Sequence, residues 1–231
     1  MLYSIGMDKK LIIVIPAYNE EKIITEVIED VRSAGFKEIV VIDDGSTDDT
    51  FQKISHAGVI ALRHKINRGK GAAVKTGIEA SKELGAEAVV TMDGDGQHDP
   101  ADIIKLVRKI SQGFDVVLGS RLLNKKDMPN TRVIYNFFGN LLTWYLHGLW
   151  VTDSQSGFRA YSRKALELID TKSDRYEYDS EIIREIYRHK LKFIEVPIVA
   201  RYTEYSMGKA EKQGFLNGLK TVYRMIWNIL S

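Results

Sequence analysis

Three polar runs in this chain carry residue types that can do chemistry. They are Pro16-Ala17-Tyr18-Asn19-Glu20, Asp43-Asp44-Gly45-Ser46-Thr47-Asp48 and Asp93-Gly94-Asp95-Gly96-Gln97-His98-Asp99. The third is the most demanding. Asp93 and Asp95 stand two residues apart with one glycine between them. Two carboxylates held that close repel each other unless a cation lies between them or nearby. With Gln97 they offer a set of oxygen ligands. Such donors suit Mg2+ or Mn2+, and these ions bridge the oxygens of a diphosphate. Each run also has a plainer reading. Asp, Ser and Thr ahead of a helix cap its N-terminus, and Gly makes turns, so Ser46 or Thr47 is expected to cap the second helix. Asp179, in Glu177-Tyr178-Asp179-Ser180-Glu181, suits a general base or a helix N-cap. The five histidines show no metal-ligand spacing, and His98 reads as a solvent-facing loop residue or a group behind the metal ligands.

For these runs to meet, the elements between them must deliver them to one place. Strand patterns cover 11–15, 38–42, 59–63, 88–92 and 115–118. Helix patterns cover 20–34, 47–57 and 70–84, and a fourth helix opens at Pro100, where a missing N–H costs nothing. This βαβα rhythm predicts an α/β fold with a mainly parallel central sheet and helices on both faces. In such sheets ligands bind beyond the carboxyl ends of the strands, where all three polar runs fall. The second half is less regular: strands at 157–161 and 192–196, helices at 163–169 and 180–189, and a last helix from about Lys212. The whole chain, 1–231, reads as one domain, with a first half at 11–120, a second at 121–212 and an amphipathic helix at 213–231.

Bulk properties narrow the function. The chain has 231 residues, with 33 basic against 31 acidic and a net charge of +2, so no global field favours nucleic acid as a partner. It has no cysteine, which removes disulfides and thiolate chemistry and is compatible with a reducing, cytoplasmic setting. The N-terminal ten residues lack a signal-peptide run. Residues 133–152 contain no Asp, Glu, Lys or Arg, close to the ~20 residues a membrane span needs. Asn136, Asn140, Thr143 and His147 would line one face of that helix, which suits a buried or interfacial helix better than a span. In the last helix Phe215, Leu219, Val222, Ile226 and Ile229 oppose Asn217, Lys220, Arg224 and Asn228. That pattern fits core packing or contact with a membrane surface. Gly69-Lys70-Gly71 lacks the third glycine of a dinucleotide site. No Gly-x4-Gly-Lys-Ser/Thr run supports an ATPase or kinase. No Gln-x-x-Arg-Trp run supports a processive polysaccharide synthase, and a glycine-rich basic loop after the first strand, as in sugar nucleotidyltransferases, is missing.

The ordered runs Pro-Ala-Tyr-Asn-Glu, Asp-Asp-Gly-Ser and Asp-Gly-Asp-Gly-Gln-His resemble family 2 glycosyltransferases of the GT-A (Rossmann-like) fold. Gly119-Ser120-Arg121 and Ser156-Gly157-Phe158-Arg159 are similar to the polyprenyl-phosphate sugar synthases within it, of which dolichyl-phosphate mannosyltransferase is the best-known type. The resemblance spans about 11–209. It makes 11–120 the nucleotide-sugar half and 121–212 the acceptor half. It implies that Pro16, Tyr18 and Glu20 line the nucleotide pocket, and that Ile42 and Asp44 meet the base. Asp93, Gly94 and Asp95 would approach the ribose and diphosphate, and Asp95 and Gln97 would hold the metal. Arg121 would contact donor or acceptor phosphate, and Arg132 and Asn136 the acceptor phosphate. That branch commonly has Ser at the position of Asn136. Arg201 and Lys209 fall in a loop that closes the site in the family, although Tyr205-Ser206-Met207-Gly208-Lys209 keeps its pattern poorly.

The implied reaction is inverting displacement at an anomeric carbon, with a hexose leaving a GDP- or UDP-linked donor. A polyprenyl or dolichyl phosphate acceptor is already an anion near neutrality, its second pKa being about 6, and needs cations; Arg121, Arg132, Arg159 and Arg201 supply them. A saccharide hydroxyl would need a base, for which Asp179 is the candidate. With a lipid acceptor the enzyme would be peripheral on the cytoplasmic face of a membrane. A non-catalytic nucleotide-sugar sensor is the remaining alternative: it would bind donor without turnover, whereas an enzyme slowly hydrolyses it.

Overall fold

The apolar run that opens the sheet is buried on both sides, which requires helices above and below it. In the computed structural model, which describes residues 10–123, 140–141, 143–145, 148–175 and 177–201, Leu11–Ala17 (β1) is that central strand. Arg132, Asn136, His147, Lys209 and the expected helix at 213–231 lie outside the described residues. Then follow Ile24–Ser33 (α1), Ile39–Asp43 (β2), Thr50–His56 (α2), Ile60–Arg63 (β3), Lys70–Glu83 (α3) and Ala88–Thr91 (β4). A short 3-10 turn, Pro100–Asp102, leads into Ile103–Ser111 (α4) and Val116–Ser120 (β5). The second half adds Arg159–Ser162 (β6), Arg163–Leu168 (α5), Glu177–Arg188 (α6) and Phe193–Pro197 (β7).

The strands form one seven-stranded sheet in the order β3-β2-β1-β4-β6-β5-β7. Strands β1 to β4 run parallel, and β5 pairs in parallel with β7. Strand β6 runs against both β4 and β5. That reversal matters for the site. It brings the residues before β6 to the same edge as the residues after β4 and β5. The fold is of GT-A type, as the sequence leads one to expect.

Side chains alternate across each strand, so the sheet has two cores. Ile13, Ile15, Ile39 and Val41 pack with Val27, Ile28 and Val31 of α1 and Leu106 and Val107 of α4. Ile12, Val14, Val40 and Ile42 pack with Ala73 and Val74 of α3 and Ile182, Ile183 and Ile186 of α6. Helix α3 lies close to the sheet because Gly77 lacks a side chain. A Cβ there would stand 2.4 Å from Val14 Cγ1 and 2.5 Å from Ile42 Cδ1.

Two local expectations change. Ser46 and Thr47 do not cap α2. The Asn19 N–H donates to Ser46 Oγ at 2.9 Å and the Thr47 N–H to Asn19 Oδ1 at 2.9 Å, so they latch the β1 and β2 loops together. Asp48 serves the helix start instead, accepting the Thr50 N–H at 3.0 Å. Helix α6 begins at Glu177, not Ser180, so Asp179 lies inside its first turn rather than at the N-cap.

Replacing Gly77 with Val is expected to lower stability. Val14 is stiff at χ1 and cannot rotate away, so overpacking by about 1–3 kcal/mol outweighs the helix propensity gained over glycine. Urea denaturation of the variant against the native protein measures this.

Candidate active site

Thr91 at the end of β4 is paired with Arg159 at the start of β6, and Arg159 is paired in turn with Leu118 of β5. The chain beyond β4, the chain beyond β5 and the chain before β6 therefore converge. Asp93 sits at the centre of this convergence.

Lys70, the first residue of α3, places its Nζ 2.9 Å from Asp93 Oδ1 and 3.2 Å from Asp179 Oδ2. Burial alone would raise the Asp93 acid. The Lys70 ammonium outweighs it and holds the acid down at about 2. Gly157 lies directly behind this pair: a Cβ there would meet Lys70 Nζ at 2.5 Å and Asp93 Oδ1 at 2.7 Å. Arg159 is 1% exposed. Its guanidinium donates to the carbonyls of Ser154 (2.7 Å), Ser156 (2.8 Å) and Asp179 (3.0 Å), and it lies 3.5 Å from Asp179 Oδ1. The sequence reading gives Arg159 to an acceptor phosphate. The structure encloses it beneath Asp179, so it acts from within the protein.

Asp95 differs from Asp93. Burial, and then the charge of Asp93, push its acid up. It makes no ion pair among the described residues, and its Oδ1 accepts the Gln97 N–H at 3.0 Å. No three His, Cys, Asp or Glu among the described residues converge into a protein metal cage. The side-chain oxygens of Asp95 and Gln97 are of the type that suits a hard divalent ion. His98 is buried, contrary to a solvent-facing loop. Its Nδ1 accepts the Asp93 N–H at 3.1 Å and its ring stacks on Phe158 at 4.9 Å. The neutral ring then carries its proton on Nε2, toward Asp93, and burial lowers its pKa.

Pro16 lies beside Gly94, where a Cβ would stand 2.9 Å from the Pro16 carbonyl. Tyr18 is exposed at the end of β1, while Glu20 is buried and its N–H donates to Thr50 Oγ1 at 2.8 Å. The base contacts expected from Ile42 and Asp44 meet obstacles. The Ile42 side chain is 0% exposed under α3, so only its main chain is left to face a ligand. Asp44 already accepts the N–H groups of Arg68 (3.0 Å) and Gly69 (2.7 Å) and contacts His64 Nδ1 at 2.7 Å. It holds the loop between β3 and α3.

Arg121 follows β5, where Asp153 grips it through Nε (2.7 Å) and a second guanidinium nitrogen (2.8 Å). Asp153, which orients Arg121, is not singled out in the sequence. Its signal was an acid five residues upstream of the Phe158-Arg159 pair. Asn140 and Thr143 show why polar residues stripe an apolar helix. Asn140 Oδ1 accepts the Ser154 N–H at 2.9 Å, and the Thr143 hydroxyl lies 3.3 Å from the hydroxyls of Ser154 and Ser180. No helix among the described residues is long and apolar enough to cross a membrane. Arg201 stands apart from the Asp93 cluster. It pairs with Asp30 (2.7 Å) and Asp99 (2.9 Å), and its N–H donates to the Gln97 carbonyl at 2.8 Å.

The sequence model described as Glycosyl transferase family 2 matches residues 12–169. A protein of Methanocaldococcus jannaschii, named only as uncharacterized, is 43% identical over 223 residues, covering 94% of this chain and 91% of that one. The UDP-N-acetylglucosamine–dolichyl-phosphate N-acetylglucosaminyltransferase of Methanococcus voltae is 38% identical over 242 residues, covering 95% and 96%. Glucosyl-3-phosphoglycerate synthase from Mycobacterium tuberculosis, solved with Mn2+, uridine diphosphate and glucosyl-3-phosphoglycerate, matches in fold with a TM-score of 0.72. It is 20% identical, and the match covers 99% of this chain and 81% of that one.

Gly157→Ala tests the cluster without removing any of its charges. Its Cβ displaces Lys70 Nζ, the far end of a flexible side chain, together with the Asp93 carboxylate. The expected result is a melting temperature close to the native one with turnover reduced about tenfold or more, since misplacement by an ångström is costly in a preorganised site. Melting and turnover measured on the same preparation check it.

Proposed function

The chain belongs to glycosyl transferase family 2, and from that premise we propose that it transfers a hexose from a UDP- or GDP-linked donor to a polyprenyl or dolichyl phosphate. The reaction proceeds with inversion, requires Mg2+ or Mn2+, and takes place with the enzyme peripheral on the cytoplasmic face of a membrane. The observation that carries this reading is Asp95: a half-buried carboxylate two residues from Asp93, without an ion pair among the described residues, at the carboxyl edge of the sheet. The acceptor class is supported by the name of the Methanococcus voltae relative, with which this chain aligns over nearly its full length.

In this reading a phosphate oxygen of the acceptor bonds to the anomeric carbon. The bond from that carbon to the diphosphate oxygen breaks, and its electron pair leaves with the nucleoside diphosphate. Asp95 and Gln97 would hold a divalent cation, which would supply charge neutralisation for the departing diphosphate. Asp93, kept ionised by Lys70, presents an acceptor oxygen to donor hydroxyls. Arg121, oriented by both carboxylate oxygens of Asp153, offers a fixed guanidinium to phosphate, the geometry that planar forks favour. Pro16, Tyr18 and Glu20 border the nucleotide side. Arg132 and Asn136 are assigned to the acceptor phosphate by resemblance alone. Arg201 contributes by anchoring Gln97 and Asp99 rather than by reaching the acceptor.

Labelled UDP- and GDP-sugars incubated with Mn2+ and a short polyprenyl phosphate test the acceptor. Label should appear in lipid; label in an added saccharide and none in lipid would reject the reading. Asp95→Ala with Gln97→Ala should cut transfer by about two to three orders of magnitude, as loss of several kcal/mol of charge stabilisation requires. It should also abolish dependence on added Mn2+, which a titration of the metal measures.

A further inference from the structure

Lys70 joins carboxylates from the two halves of the chain. Its Nζ lies between Asp93 Oδ1 at 2.9 Å and Asp179 Oδ2 at 3.2 Å. The other Asp179 oxygen faces Arg159 at 3.5 Å, and Arg159 also grips the Asp179 carbonyl at 3.0 Å. Asp179 is buried, in the first turn of α6. The start of α3 is held rigidly against this region. A Cβ on Gly71 would stand 2.7 Å from Tyr178 Cβ, one on Gly69 would stand 2.5 Å from the Asp174 carbonyl, and the Ala72 N–H donates to that carbonyl at 3.0 Å. Gly157 closes the other side of the Lys70–Asp93 pair. The lysine is therefore confined to this bridge.

A general base must come within hydrogen-bond reach of the proton it takes, which a cation seated against the carboxylate obstructs. Both oxygens of Asp179 already face a cation. A hydroxyl or water nucleophile needs such a base, whereas a phosphate monoester does not, being ionised beforehand. We propose that Lys70 is a specificity-determining residue: by bridging Asp93 and Asp179 it withholds Asp179 from general-base duty, and so suppresses transfer to water and hydroxyls in favour of an acceptor that arrives as an anion. This rests on the phosphate-acceptor reading above. In the suppressed reaction a water oxygen bonds to the anomeric carbon, and the carbon–diphosphate bond breaks with its electron pair going to the diphosphate. The water proton passes to an Asp179 oxygen.

The test measures two products from one reaction, free sugar and glycolipid, using labelled UDP-N-acetylglucosamine or GDP-mannose, Mn2+ and a short polyprenyl phosphate. Lys70→Gln should raise the ratio of free sugar to glycolipid about tenfold or more, because it unlocks a base whose full effect is about 10^2–10^4. Lys70→Arg, which keeps the charge, should hold the ratio near the native one. Lys70→Gln combined with Asp179→Asn should bring the raised ratio back down. An unchanged ratio in Lys70→Gln, or a raised ratio that persists in the double variant, overturns the proposal. Should Lys70→Gln fail to fold, Asp179→Asn alone decides. It should slow both products together and leave their ratio unchanged; a selective fall in free sugar would show Asp179 already acting as a base. If the native protein makes no glycolipid, the acceptor reading fails separately, and donor hydrolysis without acceptor still reports the lock. It must then rise in Lys70→Gln and fall again in the double variant.

Discussion

The repulsion between two carboxylates at the exit of β4 organises this site. Asp93 and Asp95 cannot both stay ionised in a half-buried setting without cations, and the protein gives each a different answer. Asp93 receives Lys70, projected from the first turn of α3. Among the described residues Asp95 accepts a backbone N–H and forms no ion pair, and its acid is pushed up by burial and by the charge of Asp93. The asymmetry leaves one acid as a fixed anionic acceptor and the other more easily protonated. Pairs of titratable groups driven apart by their surroundings mark functional sites, and here the division follows from which helix reaches which oxygen.

Much of the scaffold was legible because it rests on periodicity. The strands of the first half and the parallel order were readable from short apolar runs followed by amphipathic helices, and the three polar runs fell at one edge because β-strands in such folds share a direction. The misreadings came from tertiary contacts that outrank local preference. Ser46 and Thr47 have good capping chemistry, but Asn19 across the loop offers partners first. His98 looked solvent-facing because Phe158, sixty residues away, covers it. Neither the reversal of β6 nor the bridge from Lys70 to Asp179 has a local signature. Both depend on elements that meet only in the folded chain.

The reversed strand also explains how the second half of the chain enters the chemistry. A parallel β6 would send Ser154 to Phe158 to the far edge of the sheet. Running antiparallel, it sets them against Asp93 and lets Arg159 bind three carbonyls under the site. A guanidinium spent in that way is a fastener. It fixes the 154–156 turn to the first turn of α6, while Asn140 and Thr143 fasten the same turn from the other side. Charge in this region is used chiefly to hold backbone, and few groups are left to meet a substrate.

Asp44 illustrates where the cost of order falls. With both oxygens occupied by the 64–69 loop, that wall of the cleft is set when the chain folds. A visiting molecule has no entropy of loop ordering to overcome there, so more of its contact energy remains as affinity. The same arrangement makes the wall unforgiving: reshaping it for a differently sized visitor means redrawing a stretch of main chain, not exchanging one side chain.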